Sequence, residues 1–202
     1  MATPLTEAFI AERLRLAYQP GVLAATDGYA GWKSRGPVKH AAVLLPFVWF
    51  AEEWHLVFTR RAKTVEHHKG QVSFPGGGRN RGETSPEETA LREAKEEIGL
   101  KPEEVRLLGR LNDIVTITRY RVTPVVGVAP WPYEFHLEPA EVERVFTIPL
   151  LWLADRKNWN EQPFTPNGAR RPIPVVIYHP YDGEVLWGAS ARMVQGLIAC
   201  LF

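Results

Sequence analysis

Glu93, Glu96 and Glu97 stand close together in the run Arg92-Glu93-Ala94-Lys95-Glu96-Glu97. On a helix turning about 100° per residue they fall within an arc of about 100°, so all three can face one site. Carboxylates are hard oxygen donors of the kind that Mg²⁺ prefers. Like charges at i,i+4 cost a helix roughly 0.2–0.5 kcal/mol per pair. The plain alternative is a solvated acidic face, partly neutralised by Arg92, Lys95 and Lys101. The preceding segment tips the balance. Phe74-Pro75-Gly76-Gly77-Gly78 should end a strand in a sharp loop that another group can approach closely, with Glu83 between it and the helix.

The helix carrying these groups is marked at both ends. Ser85 suits the N-cap, Pro86 the first helical position, Glu88 completes a Ser-x-x-Glu capping box, and Gly99 stops the helix after Ile98. Around it, Ala41–Phe50 and His55–Arg60 read as strands joined by a hairpin connection at 51–54, and Val72–Phe74 as a short strand. Val105–Leu111, Arg121–Val128, Val142–Ile148 and Ile173–His179 read as further strands. Pro149–Asp155 reads as a short helix and Ala189–Leu201 as a closing one. Near the start, Leu5, Phe9, Ile10, Leu14 and Leu16 alternate with charged residues as in an amphipathic helix; Thr26–Lys39 reads as loop. The expectation is an α/β chain forming one domain over 1–202, with 1–30 as an N-terminal helical extension.

Composition excludes several classes. A formal net charge of +1 gives no global basic field, so nucleic acid is not an expected partner. The apolar run from Ala41 to Ala51 is broken by Pro46 and falls far short of the roughly 20 residues a membrane span needs. Cys200 is the only cysteine, which rules out an intramolecular disulfide and suits a reducing cytoplasmic compartment.

Taken together, Gly77-x5-Glu83-x8-Arg92-Glu93-Ala94-Lys95-Glu96-Glu97-Ile98-Gly99-Leu100 resembles the Nudix box, G-x5-E-x7-R-E-U-x-E-E-x-G-U with U a bulky aliphatic. It departs by one extra residue between Glu83 and Arg92, which places an insertion beside Ser85-Pro86, and by Ala94 where a larger aliphatic is usual. The resemblance implies an α/β/α sandwich around a mixed sheet and hydrolysis of a diphosphate linkage with Mg²⁺ or Mn²⁺. A divalent ion held by Glu93, Glu96 and Glu97 would neutralise phosphate charge, orient the group and acidify a bound water. The resemblance makes Arg92 an organiser that holds the loop on the helix. It allows the general base to come from the box, with Glu93 the first choice, or from a later loop carrying Glu138, Glu141 and Glu143. Catalysis is therefore expected from Glu93, Glu97 and Arg92.

A second motif, Thr59-x-Arg61-Ala62-x3-Glu66-x3-Gly70-x3-Phe74-Pro75-Gly76-Gly77, is similar to the one that distinguishes the coenzyme A pyrophosphatase branch of that family. Glu66 stands where that branch usually has arginine. The pieces Leu107–Leu111, Val122–Gly127, Val145–Leu150 and Leu186–Arg192 follow the branch's later spacing. The resemblance implies coenzyme A or acyl-coenzyme A as substrate, with 3′,5′-ADP and 4′-phosphopantetheine or its acyl form as products. Arg61, His68, Lys69, Gly76 and Gly77 become the expected substrate-binding residues. Arg60, Lys63, His67, Arg79 and Arg81 add basic charge near the glycines, either to meet a polyanion or as an ordinary basic loop. The histidines lack the matching cysteine or histidine pair that zinc would need. Alternatives from the same family are action on ADP-ribose, dinucleotides or nucleoside triphosphates, and from another class a binding module that does not hydrolyse. A homodimer is compatible with all of these.

Overall fold

The computed structural model describes residues 5–24, 38–62, 70–165 and 172–202. Its centre is β1 (Lys39–Phe50), paired in parallel with β7 (Tyr120–Val128) and antiparallel with β2 (Glu53–Arg61). Beyond β2 lie β3 (Val72–Ser73) and β8 (Val142–Pro149); beyond β7 lie β5 (Arg106–Arg110) and β6 (Ile114–Val115). With β4 (Gly76–Gly78) beside β1, the described residues form an eight-stranded mixed sheet. A separate hairpin joins β9 (Trp159–Phe164) to β10 (Ile173–Tyr178).

The alternation of side chains on a strand sorts the core into two layers. Ala42, Leu44 and Val48 of β1 pack with Ala90, Ala94 and Ile98 of α2 (Pro86–Ile98). Leu45 and Phe47 face the other way, against α1 (Glu7–Ala17) and α4 (Gly188–Leu201), while α3 (Leu150–Ala154) adds Leu150 and Leu153. The result is an α/β/α sandwich. Ala94, where a bulkier residue is usual, is fully buried, and with Ala90 it lets α2 lie close to the sheet. Burying Ile98 beside them contributes about 1.5–3 kcal/mol.

Pro46 does not interrupt β1. On that edge β4 pairs only as far as Val43, and β2 begins at Phe47. The proline's missing N–H thus falls in the gap between two partner strands, where no ladder bond is lost. The connection between β1 and β2 is a tight turn with Ala51 and Glu52 both at positive φ, so Trp54, expected in the connection, belongs to β2. The expected loop at Gly76–Gly78 is also corrected: these glycines form β4. Their side-chain-free backbone carries no periodic signal, yet it satisfies its hydrogen bonds against β1. The short strand β6 and the strand β9 were likewise unmarked in the sequence.

Candidate active site

The acidic helix begins as its capping residues dictate. Ser85 Oγ accepts from the Glu88 amide at 3.2 Å. The Glu88 carboxylate reaches back to the amide (2.6 Å) and hydroxyl (2.8 Å) of Thr84, and the Ser85 amide adds to the hydrogen bonding that holds it ionised. At the far end Gly99 adopts φ 71° and its amide bonds to the Lys95 carbonyl. Glu87 pairs with Arg110 of β5, fastening the first turn to the sheet.

Arg92 is the hub of the box. It reaches Glu83 (2.5 Å), Glu93 (2.8 Å) and Glu96 (2.7 Å), and donates to the Gly78 carbonyl at 3.0 Å. Glu83 also accepts from the Thr89 hydroxyl and the Asn80 amide, both at 2.7 Å. Partial desolvation would raise the Glu83 carboxyl, but the Arg92, Thr89 and Asn80 hydrogen bonds outweigh it and hold it down at about 2. The extra residue between Glu83 and Arg92 is accommodated without separating the two side chains. The ion pair bridges the turn before the helix, where the insertion is expected from the sequence.

Glu97 is the buried member, 2% exposed. One oxygen accepts from the Gly76 amide at 3.2 Å and the other lies 3.6 Å from Arg61 Nη1. Burial pushes its carboxyl up to about 8, against the pull of Arg61 and Gly76, with Glu93 and Glu141 raising it further. Burial likewise raises Glu93, opposed by Arg92 and reinforced by Glu96 and Glu141. The Glu93 carboxylate packs on Gly77 so closely that a Cβ there would sit 2.6 Å from it. β4, the strand of the sheet beside β1, thus presents its glycine backbone to two carboxylates.

Glu96 is placed differently. Its side chain is 59% exposed and turned to Arg92. Among the described residues no three carboxylates already converge on an ion-sized point. The donor set nevertheless suits a hard divalent cation. Burial raises the Glu97 carboxyl, Glu93 adjoins it electrostatically, and Glu96, on the same helix, adds to the charge felt at Glu93. Bringing in a divalent cation would relieve the repulsion among them.

Of the later-loop acids, Glu138 caps its own turn by accepting from the Ala140 amide at 3.2 Å, and Glu143 pairs with Arg60 at 3.1 Å. Glu141 is the one whose charge is felt at both Glu93 and Glu97. The basic cluster divides. Arg61 faces Glu97, while Arg60, its neighbour on β2, faces the opposite side of the sheet and binds Glu184. Arg79 is spent on the Glu83 carbonyl. His68 and Lys69, with Lys63, Glu66 and His67, lie outside the described residues.

Next to Arg61 and Gly76 opens a cavity of about 250 Å³, walled mainly by Ile114, Thr116, Phe164, Val175, Trp187 and Met193. Arg192 at its edge is 3.5 Å from Glu161. One wall comes from the second motif, through Arg61, Val72, Phe74 and Gly76, and another from the Leu186–Arg192 piece; the chamber itself was not foretold, because β6 and the β9–β10 hairpin close it.

A mixed sheet between helical layers, with a capped acidic helix laid on a glycine strand, defines the Nudix class of fold. The NUDIX domain model matches residues 38–168. The chain is 35% identical over 159 residues to the Nudix hydrolase NudL of Photorhabdus laumondii, covering 79% of this chain and 83% of that one. It is 34% identical to NudL of an Enterobacter species, covering 79% and 81%. Among solved structures, a Nudix hydrolase from Alicyclobacillus acidocaldarius superposes with a TM-score of 0.52 at 19% identity, covering 83% of this chain and 94% of that one. RenU, a Nudix hydrolase from M. smegmatis, gives 0.51 at 24%, covering 64% and 81%. These likenesses carry the fold alone. The chain belongs to the Nudix hydrolase family and is a pyrophosphohydrolase of that family. Nudix hydrolases generally use divalent cations such as Mg²⁺ or Mn²⁺. No helix among the described residues is long and apolar enough to cross a membrane.

Proposed function

We propose that this protein hydrolyses the diphosphate of coenzyme A or acyl-coenzyme A in the presence of Mg²⁺ or Mn²⁺, releasing 3′,5′-ADP and 4′-phosphopantetheine or its acyl form. The observation that carries this reading is the largely apolar cavity adjoining Arg61, Gly76 and the buried Glu97. A substrate whose diphosphate lies at the carboxylates can place a long, weakly polar arm there. That describes the pantetheine side of coenzyme A better than the second ribose of ADP-ribose or a dinucleotide, whose hydroxyls would lose hydrogen bonds on such walls.

In this reading Glu93, Glu96 and Glu97 hold the cation, which supplies charge neutralisation and an acidified water when bound. Arg92 fixes Glu93 and Glu96 and ties α2 to β4 through the Gly78 carbonyl. Gly76 and Gly77 give the diphosphate a close backbone surface. Arg61, His68 and Lys69 neutralise substrate phosphate. Either Glu93 or Glu141 takes the proton from the attacking water; Glu141 gains standing because Glu138 and Glu143 are committed elsewhere. The whole chain acts as one domain with 1–30 as its extension, in the cytoplasm, as a monomer or a homodimer.

Product identification tests the reading. Purified protein incubated with Mn²⁺ and coenzyme A should give 3′,5′-ADP by chromatography. Turnover of ADP-ribose or dinucleotides to AMP, with coenzyme A left intact, would transfer the assignment to another diphosphate. Tight binding of coenzyme A without turnover at any Mg²⁺ or Mn²⁺ concentration would instead favour a binding role.

A further inference from the structure

Arg60 and Arg61 are consecutive on β2, so their side chains leave the sheet on opposite faces. Arg61 meets Glu97. Arg60 stands directly across from Arg144 of β8, and like charges in that relation repel. Glu184, only 5% exposed, sits between them. One of its oxygens accepts from Arg60 Nη1 at 2.9 Å and from Arg144 Nη1 at 3.0 Å. Glu143 closes on Arg60 at 3.1 Å and Asp182 on Arg144. Reciprocal backbone bonds between Tyr181 and Glu184, each 2.9 Å, fix the turn that delivers the carboxylate.

The strand register slips at this point. Arg60 pairs with Arg144 but Arg61 with Val142, leaving Glu143 as the extra residue of a bulge. Just beyond it the Ala62 amide donates to the Glu141 carbonyl at 2.8 Å, and the same turn donates from the Glu138 amide to the Glu97 carbonyl at 2.9 Å. The bulge therefore sets where Arg61 and Glu141 stand relative to Glu97.

We infer that Glu184 is a positioning residue for hydrolysis. By bridging Arg60 and Arg144 through one buried carboxylate oxygen it holds the β2–β8 bulge closed, and so places Arg61 and Glu141 at the carboxylate site from the opposite face of the sheet. The inference rests on Glu141 belonging to that site.

A mutant cycle tests it, with steady-state kinetics, Mn²⁺ titration of activity and amide hydrogen exchange on the full-length protein. Glu184→Gln should raise the Mn²⁺ concentration for half-maximal activity about tenfold or more. It should also raise KM, because Arg61 meets the substrate phosphate, and speed exchange of the Ala62 amide. In a Glu141→Gln background, itself shifted in Mn²⁺ activation, Glu184→Gln should add nothing to that shift, because Glu141 carries it, while the effect on KM through Arg61 persists. Adding Arg144→Gln to Glu184→Gln removes the repulsion and should restore wild-type Mn²⁺ activation. If Glu184→Gln alone fails to fold, this double variant decides: recovered activation supports the inference and persistent impairment overturns it. An unchanged Mn²⁺ requirement in Glu184→Gln, or effects that multiply with Glu141→Gln, also overturns it. Should Glu141→Gln not alter Mn²⁺ activation, Glu141 leaves the site and the inference falls with it, while the assignment of the substrate stands or falls separately on its products.

Discussion

Glu97 is ionised at a cost in the folded chain, since burial lifts its carboxyl from 4.5 to about 8. A carboxylate raised by folding favours the folded state fully at low pH, and that contribution is lost as pH climbs from about 4.5 towards 8. The metal-free protein should therefore lose thermal stability across that interval, and Mn²⁺ should restore it increasingly as pH rises, because binding expels the proton. Thermal unfolding with EDTA or with Mn²⁺ at several pH values checks both. Glu97→Gln should flatten the pH dependence, preserve the fold and reduce kcat roughly a thousandfold, about 4 kcal/mol in barrier. Near-normal turnover in that variant would remove the carboxylate site from the mechanism. Glu83 behaves oppositely. Held down at about 2, it stabilises the fold above about 4.5, and that contribution disappears as pH falls through about 2. Glu83→Gln should cost about 1–3 kcal/mol in chemical denaturation at neutral pH, since Arg92 loses a charged partner.

At the scale of elements, the three glycines of β4 make different demands. A Cβ at Gly76 would meet the Ala42 carbonyl at 2.5 Å and Val43 at 2.6 Å; at Gly77 it would meet the Glu93 carboxylate at 2.6 Å; at Gly78 it would meet nothing. Gly76→Ala should therefore destabilise the fold, by about 1–3 kcal/mol. Gly77→Ala should leave stability nearly intact but displace Glu93 and lower kcat about 10–100-fold. Gly78→Ala should change neither. Melting temperatures and kinetics measured side by side separate the three. The sequence marked these glycines as sites of close approach but not as a strand, because pairing by an unadorned backbone leaves no side-chain pattern to read. For α2 the position was the reverse. Ser85, Pro86 and Gly99 are local signals, and the helix begins and ends where they direct.

At the scale of the molecule, the cavity beside the carboxylates is a property of assembly. Trp187 precedes α4, Phe164 ends β9 and Ile114 begins β6, and the fold brings all three around one chamber. If that chamber binds the substrate's arm equally before and during reaction, Trp187→Ala should raise KM for coenzyme A about tenfold with kcat held within about twofold. A parallel fall in kcat with KM unchanged would show that the wall acts on the chemistry and not on binding of the arm.

The carboxylate spacing, helix limits and family were legible in the chain alone, because they depend on residues within a few helical turns and on motifs that survive as local patterns. Burial of Glu97, the partners that Arg60 and Arg61 meet on their two faces, and the approach of Glu141's charge to Glu93 and Glu97 were decided only by tertiary structure. Each depends on which elements lie side by side, and for the turn carrying Glu141 also on a one-residue slip in β8; neighbours distant in sequence and a slip of that kind leave no trace in composition or spacing.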